Sequence, residues 1–226
     1  MEILIIVPIL PRDGKEKLRS SDEAKKYVRP ETQVDSINIE YGPASIESVY
    51  DDTIAAPFVV RKAEWAERNG YDAVVVSCMM DPGVRAAREA VNIPVVGPRE
   101  ACLHIASILG ANSKTILPRG IPVLQMHDDP ERTYKALKED AEKAIKEGAE
   151  VLVMGCTALS GIAERLNEEL SVPVLENQGT ALKVAEMLVD LKVTHSKLTY
   201  PKTPEKKRIL PSKSHYFLHP FFKCLV

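Results

Sequence analysis

The sequence predicts an α/β protein with mostly parallel sheets, arranged as two pseudo-symmetric lobes with the active site between them. Short Ile, Leu and Val runs alternate along the chain with charged segments of helical length, as in proteins built from βαβ units. The segments 69–78 (NGYDAVVVSC) and 147–156 (EGAEVLVMGC) also match each other. Each is followed by a helical segment, a Pro-Val strand and a second helical segment, so the repeat extends well beyond one strand.

Four segments of the first predicted lobe, residues 1–98, are short apolar or alternating runs bounded by turn residues, which is typical of strands. They are residues 2–7, 32–39, 73–77 and 94–96. Helices are predicted over residues 15–28, 48–69 and 81–91. Pro57 is expected to kink the second helix or split it. Asp81 precedes Pro82 and is interpreted as the N-cap of the third helix, with a direct catalytic role as the alternative.

The second predicted lobe, residues 99–191, repeats this order in a shorter form. Helices are predicted at 99–109, 130–147, 162–170 and 180–191, and strands at 151–155 and 173–175. Residues 114–117 and 122–126 could both be strands. Only the segment 118–121 lies between them, which is too short for a helical crossover. The second lobe is therefore predicted to lack a helix that the first contains.

The third predicted region, the tail 192–226, differs in charge from the rest of the chain. It carries eight basic residues and one acidic residue, a net charge of +7, whereas residues 1–191 carry −9 and the whole chain −2. The tail is expected to be partly disordered. Without an overall basic surface, a nucleic-acid partner is not predicted.

The cellular environment is predicted from the same composition. The opening MEILIIVPIL has no basic region or cleavage site, so a signal peptide is not predicted. No run of about 18 apolar residues occurs, so no membrane partner is predicted. Four cysteines in 226 residues do not form a disulfide framework, and free thiols in the cytoplasm are expected.

Two of the cysteines, Cys78 and Cys156, end the two matching strands. Ligands of open α/β sheets bind at the carboxyl ends of the strands, so two facing lobes would place one thiol on each side of a ligand. One thiolate could remove a proton from a carbon next to a carbonyl, and the other thiol could return one from the opposite face. Such a reaction inverts the carbon and needs no metal or organic cofactor. The alternative is that each Cys is a small buried apolar residue, which is the interpretation for Cys102.

Five stretches carry a resemblance to a known family. They are residues 77–89 (SCMMDPGVRAARE), 41–48 (YGPASIES), 94–97 (PVVG) with 100–101 (EA), 154–157 (MGCT), and 195–197 (HSK) with 200–201 (YP). Over roughly residues 1–205 the chain resembles the hydantoin racemase branch of the aspartate/glutamate racemase superfamily. The resemblance implies a cofactor-independent isomerase that racemises 5-substituted hydantoins or a related compound such as allantoin. It also implies that Cys78 and Cys156 are the acid/base thiols.

Substrate contacts are predicted close to the two thiols. Backbone amides and hydroxyls near Thr157 and the pair Met79–Met80 are expected to hold carbonyl oxygens, and the two methionines leave room for an apolar substituent. Thr157 is equally well explained as a cap of the following helix. Ser45 is interpreted either as facing the cleft or as part of a turn.

The segment after the first strand departs from the family pattern. The family has an Asn-Pro-Asn-Thr-like turn there, whereas this chain has Val7-Pro8-Ile9-Leu10. Pro8 and Ile9 are therefore predicted to line the substrate position without polar anchors. No metal site is predicted, because the five His residues show no metal-ligand spacing.

Two alternative functions remain open on the sequence. One is another reaction of the superfamily: amino-acid racemisation, cis–trans isomerisation or decarboxylation of a malonate-like acid. The other is a non-catalytic ligand-binding relative, which the altered first turn and the shortened second lobe would permit. In either case the expected partner is a small molecule, and a homo-oligomer is expected.

Overall fold

The computed structural model describes residues 1–11, 22–159 and 161–207. Within these residues, strands alternate with helices and pair in parallel, so the predicted α/β class is confirmed. The strands are β1 (Glu2–Val7), β2 (Gln33–Asn38), β3 (Ala73–Val76), β4 (Val95–Val96), β5 (Ser113–Ile116), β6 (Val151–Met154) and β7 (Val174–Leu175). The α-helices are α1 (Asp22–Lys25), α2 (Val49–Arg68), α3 (Val84–Ala90), α4 (Pro98–Leu109), α5 (Pro130–Lys146), α6 (Ala163–Glu169) and α7 (Asn177–Asp190).

The strands of the described residues form two parallel sheets, in the orders β2-β1-β3-β4 and β5-β6-β7. The strands β3 and β6 are buried along their whole length, which explains why they are continuous apolar runs. Because all strands of a sheet run in the same direction, their carboxyl ends lie at one edge. Cys78 and Cys156 therefore follow interior strands at the ligand-binding edges of the two sheets.

Two local predictions differ from the structure. Helix α2 is continuous over Val49–Arg68, so Pro57 does not split it. The expectation of a strand at 122–126 is wrong, because Val123–Gln125 forms a 3-10 helix. Its turn is closed by the Gln125 N–H, which donates to the Pro122 carbonyl at 2.9 Å. The segment therefore lies between β5 and α5, and β5 pairs directly with its parallel neighbour β6.

Two helices connect the sheets. In α4, Cys102 and Ala106 pack against Val151 and Val153 of β6, and Cys102 is completely buried, as predicted. In α7, Ala181, Leu182 and Ala185 pack against the first sheet. The last helix of the predicted 99–191 lobe thus packs against the sheet of the 1–98 lobe. That division into lobes stays a prediction, and α7 is the element that crosses it.

The beginning of the basic tail is attached to the first sheet. The Lys197 ammonium donates to the carbonyls of Arg88 and Val91 at the end of α3, at 2.7 and 2.6 Å. The guanidinium of Arg88, in turn, donates to the Tyr200 hydroxyl at 3.1 Å. Residues 12–21, which include the first part of the predicted helix 15–28, lie outside the described residues, as do Ser160 and residues 208–226.

His195 holds this attached segment, residues 194–200, to β4. The Val95 N–H donates to its Nε2 at 2.9 Å, so this nitrogen must be unprotonated. Burial, together with the charge of Arg88, lowers the pKa of His195 to about 4. A histidine with a lowered pKa stabilises the folded state above its unfolded pKa of about 6.5, and that contribution disappears as the pH falls towards 4.

The variant His195→Gln is expected to reduce the dependence of the melting temperature on pH between 7 and 4. Glutamine can accept the Val95 hydrogen bond through its amide oxygen, but it does not titrate. Thermal melts at pH 7.5 and 4.5 check this. Equal acid-induced losses of melting temperature in the wild type and the variant would show that His195 does not contribute.

Candidate active site

The two thiols occupy equivalent turns at the ends of their strands. Cys78 lies two residues after the end of β3, and Cys156 lies two residues after the end of β6. In each turn the residue three positions later donates its N–H to the cysteine carbonyl: Asp81 to Cys78 at 3.0 Å and Leu159 to Cys156 at 3.2 Å. Both cysteines are half-buried free thiols.

A backbone amide points at each sulfur from the same position of the turn. The Met80 N–H lies 3.5 Å from the first sulfur, and the Ala158 N–H favours the thiolate of the second. Each turn then contains a glycine with a positive φ, 69° at Gly83 and 89° at Gly161. The repeat seen in the sequence is therefore also a repeat of the thiol environment.

The electrostatic environment of Cys78 favours its neutral form. Burial raises its pKa to about 12, and the nearby Cys156, Asp81 and Asp52 act in the same direction against the Met80 N–H. Burial also raises the pKa of Cys156, with the Ala158 N–H opposing it and the Glu47 charge adding to it. Both thiols are consequently protonated at neutral pH in the unliganded protein.

Hydrogen bonds join the ends of the two thiol strands. The Thr157 hydroxyl donates to the Ser77 carbonyl at 3.1 Å, and the Ser77 hydroxyl donates to Gln178 Oε1 at 2.8 Å. Asn177 Nδ2 lies 3.3 Å from the carbonyl of Met154, the last residue of β6. Thr157 therefore connects the turn of one thiol to the residue before the other.

Asn177 and Gln178 were missed in the sequence analysis. Both are almost completely buried, and Asn177 Oδ1 and Gln178 Nε2 have no hydrogen-bond partner among the described residues. Their sequence signal is weak: they start α7 directly after β7, at the same sheet edge as Cys156. Their contacts with Ser77 and Met154 depend on how the two sheets are packed together.

The predicted Ser45 contact lies in the loop between β2 and α2. Its hydroxyl donates to Glu47 Oε1 at 2.7 Å, and the Glu47 charge acts on Cys156. Asp52, in the first turn of α2, acts on Cys78. Glu47 and Asp52 are therefore close enough for their charges to act on the thiols, whereas the contact of Ser45 that the structure shows is with Glu47.

Two hydrogen bonds hold the segment of Pro8 and Ile9, one from a side chain of β2 and one to the loop that follows β2. The Ile9 carbonyl accepts a hydrogen bond from Asn38 Nδ2 at 3.0 Å, and the Leu10 N–H donates to the Pro43 carbonyl at 3.0 Å. Pro8 is buried, and Ile9 is partly exposed. The main-chain groups of the turn after β1 are thus held by the Asn38 side chain and the Pro43 carbonyl, and the turn itself lacks the polar side chains of the family pattern.

The two methionines after Cys78 have different surroundings. Met79 is buried and packs with Cys102, Ala106 and Val153 between the sheets. Met80 remains partly exposed, and its N–H points at the thiol. The structure places the Met79 side chain in the core, so Met80 is the better placed of the pair for contact with a substituent.

The prediction that Asp81 caps the helix after Pro82 is wrong. The N-cap of α3 is Gly83, and the Asp81 carboxylate instead accepts hydrogen bonds from the N–H groups of Arg99 and Glu100, at 3.1 and 3.0 Å. The backbone of Asp81 has a φ of 54°, which is rare for a residue with a side chain. This conformation accompanies the contact with the first turn of α4.

In the part of the chain that the structure describes, no group of three or more His, Cys, Asp or Glu side chains could hold a metal ion. No helix there is long and apolar enough to cross a membrane.

Two parallel sheets, each with a free thiol in an equivalent turn after an interior strand, define an α/β protein with a pair of matched thiols. Comparison with known sequences identifies the family. The sequence profile of Asp/Glu/Hydantoin racemase matches residues 19–117 and 113–185. The chain belongs to this family and is an isomerase, a racemase of this superfamily.

Its relatives are similar over nearly their whole length. The hydantoin racemase of Pseudomonas sp. (strain NS671) is 34% identical over 220 residues, which covers 85% of this chain and 88% of the relative. The hydantoin racemase of Paenarthrobacter aurescens is also 34% identical, over 93% of this chain and 100% of the relative. The structure of allantoin racemase from Klebsiella pneumoniae superposes with a TM-score of 0.83 at 28% identity, over 95% of this chain and 98% of that one.

Proposed function

We propose that the protein racemises a 5-substituted hydantoin or a related cyclic ureide such as allantoin, with Cys78 and Cys156 as the two acid/base groups. The observation that supports this proposal is the equivalence of the two thiol turns, each with a backbone N–H directed at its sulfur. The names of the relatives, which are hydantoin and allantoin racemases, support the substrate class.

The reaction is a transfer of one proton from carbon and another to it. The thiolate of one cysteine removes the proton from the chiral carbon, and the electron pair of the broken C–H bond moves to the adjacent carbonyl, forming an enolate. The thiol of the other cysteine then donates its proton to the opposite face of the carbon. Inversion leaves the two cysteines with exchanged protonation states, which proton exchange with solvent resets.

Stabilisation of the enolate oxygen requires hydrogen-bond donors in a site with little water. Backbone N–H groups near Thr157 and the pair Met79–Met80 are the proposed donors, because these residues directly follow the two thiols. Thr157 holds the two turns together through Ser77. Met80 and Ile9 are proposed to provide apolar surface for the substituent, and Ser45, in the loop between β2 and α2, is the proposed polar contact.

The proposal includes the remaining expectations from the sequence. A cytoplasmic location would keep both thiols reduced, and a homo-oligomer is expected. The substrate is a small molecule, and no metal or organic cofactor is needed when two thiols supply both proton-transfer steps.

The direct test is to follow the optical rotation of each enantiomer of a 5-substituted hydantoin and of allantoin. We expect both enantiomers of a substrate to converge on zero rotation, and in D₂O we expect deuterium to enter the chiral carbon. The non-enzymatic rate at the same pH is subtracted. If neither compound loses rotation faster than the blank, the proposed substrate class is wrong.

The kcat/KM of racemisation is expected to rise with pH from 6 to 9, by up to about tenfold per pH unit. The reason is that burial holds the pKa of Cys78 at about 12 and raises that of Cys156, so the thiolate of the free enzyme is scarce at neutral pH. Initial rates at low substrate concentration measure this quantity. A profile that is flat over this range would show that no thiolate is required.

A further inference from the structure

We infer that Asp81 is a positioning residue for Cys78: it attaches the turn of this thiol to the first turn of α4, whereas Leu159 stands at the equivalent place after Cys156. This inference rests on the proposed function, because it assigns a role to a residue that supports one of the two proposed acid/base groups. The positions of the two thiols are therefore predicted to be fixed by different contacts.

The contacts of Asp81 connect the Cys78 turn both to Cys78 itself and to the first turn of α4. Its N–H donates to the Cys78 carbonyl at 3.0 Å, and its carboxylate accepts from the N–H groups of Arg99 and Glu100. Its left-handed backbone, with φ at 54°, is unfavourable for a residue with a Cβ and persists because these hydrogen bonds hold it. Met80, which directs its N–H at the sulfur, lies between the two fixed residues.

The internal repeat shows that the side chain capping the N-terminus of α4 comes from another segment and not from its own N-cap residue. In the repeat, Gly97 of IPVVG corresponds to Glu176 of VPVLE. Glu176 caps its own helix, α7, by accepting from the N–H groups of Gln178 and Gly179. Gly97 has no side chain to do this at α4, and the carboxylate of Asp81 performs the function from the thiol turn.

Position 97 requires a glycine because of its close contact with Asp81 and not because of its backbone conformation. Its φ of −96° and ψ of 133° are accessible to any residue. A Cβ at this position would overlap the carboxylate of Asp81. A larger residue at 97 is therefore tolerated only if Asp81 moves or is shortened.

Asp81 affects the Cys78 thiolate in two opposing ways. Its charge, like those of Asp52 on α2 and Cys156 after β6, disfavours the thiolate, while the turn that it holds presents the Met80 N–H, which favours it. The carboxylate itself faces Arg99 and Glu100 of α4. Asparagine at position 81 removes the charge and keeps one acceptor, whereas alanine removes both.

The experiment measures the alkylation rate of each cysteine by iodoacetamide as a function of pH, by mass spectrometry of peptides, and in parallel kcat and KM for racemisation. The variants are Asp81→Asn, Asp81→Ala, Gly97→Ala and the double variant Asp81→Ala/Gly97→Ala. The matched control is Asp129→Ala, which removes the side-chain cap of α5, where Asp129 accepts from the Arg132 N–H at 3.0 Å.

We expect Asp81→Asn to shift the alkylation profile of Cys78 to lower pH and to leave that of Cys156 unchanged. Asp81→Ala and Gly97→Ala are each expected to lower kcat by about 10- to 100-fold through misplacement of the thiol, with KM changed less than about threefold. The double variant is expected to be no worse than Asp81→Ala, since the clash at position 97 is then absent. Asp129→Ala is expected to lower the melting temperature without changing either thiol.

Two results would overturn the inference. One is an unchanged Cys78 alkylation profile in Asp81→Asn and Asp81→Ala despite a lower melting temperature, which would make Asp81 a stabilising residue only. The other is additivity of the Asp81→Ala and Gly97→Ala effects. Alkylation needs no substrate, so a shifted Cys78 profile together with full activity of Cys78→Ser would refute the proposed function and retain the structural link.

Discussion

Replacing either Cys78 or Cys156 with serine is expected to lower kcat/KM for racemisation by about a hundred- to ten-thousandfold, the usual contribution of a positioned acid or base. A serine hydroxyl has nearly the size of a thiol, but it is far less acidic and does not supply the base at neutral pH. Each turn holds one sulfur, and inversion needs one group on each face of the carbon. The two single variants should therefore be similarly inactive in inversion.

The remaining thiol is expected to stay active in one half of the reaction. In D₂O, each serine variant should exchange the proton at the chiral carbon of one enantiomer without inverting it, and the preferred enantiomer should be opposite in the two variants. Polarimetry and NMR of the recovered substrate measure inversion and exchange separately.

Cys102→Ser is the matched control for these two variants. Cys102 is completely buried in α4 and has no part in the proposed reaction, so its replacement is expected to leave the ratio of exchange to inversion unchanged. Retention of inversion in both Cys78→Ser and Cys156→Ser would exclude the two-thiol mechanism.

The Glu186→Gln variant is expected to reduce the free energy of unfolding at pH 7 by about 2–3 kcal/mol. Glu186 is 4% exposed and accepts hydrogen bonds from the Thr32 hydroxyl at 2.6 Å, the Arg29 N–H at 3.0 Å and the Lys183 ammonium at 2.9 Å. Burial raises its pKa, but these donors outweigh burial and lower it to about 2. A shift of this size corresponds to about 3 kcal/mol at most, at 1.36 kcal/mol per pKa unit.

The pH dependence of this contribution has a definite sign. A carboxylate with a lowered pKa stabilises the folded state above its unfolded pKa of about 4.5, and the contribution is lost as the pH falls towards 2. Urea denaturation at pH 7 and at pH 3 should therefore show a smaller difference between the wild type and Glu186→Gln at the lower pH. An equal difference in stability at both pH values would show that the ionised Glu186 carboxylate does not make this contribution.

Glu169→Gln is the matched control for Glu186→Gln. The Lys138 ammonium, which donates to Glu169 Oε2 at 2.6 Å, also lowers the pKa of Glu169 to about 2, but the Glu169 side chain is 34% exposed. Solvent screens an exposed pair, so a much smaller change in stability is expected than for the buried Glu186. Because Glu186 fixes α7, whose first residues contact the ends of both thiol strands, its loss is also expected to lower activity.

Most of the local structure could be predicted from the sequence. The strands β1, β3 and β6 are continuous apolar runs, and the repeat of NGYDAVVVSC in EGAEVLVMGC matches two equivalent thiol turns. These features depend on side-chain periodicity and on residues close together in the chain. The error at 122–126 has a local cause as well, since Pro122 begins a 3-10 turn whose short apolar sequence resembles that of a strand.

The misassignment of Asp81 has a different cause. In the sequence Asp81-Pro82 has the pattern of a cap for the next helix, and the first turn of α4, its true partner, is almost twenty residues away. The contacts of Gln178 with Ser77 and of Thr157 with the same residue span 101 and 80 positions. None of these pairs has a local pattern that could indicate it.

By itself, the sequence determined the α/β class, the order of the elements and the placement of Cys78 and Cys156 at strand ends, because strand and helix periodicity are properties of short segments. Only the tertiary structure decided that α7 packs against the first sheet and that Asp81 caps α4. Both depend on apolar faces and hydrogen-bonding groups that meet when distant segments pack together. The same packing decides which charges surround each thiol.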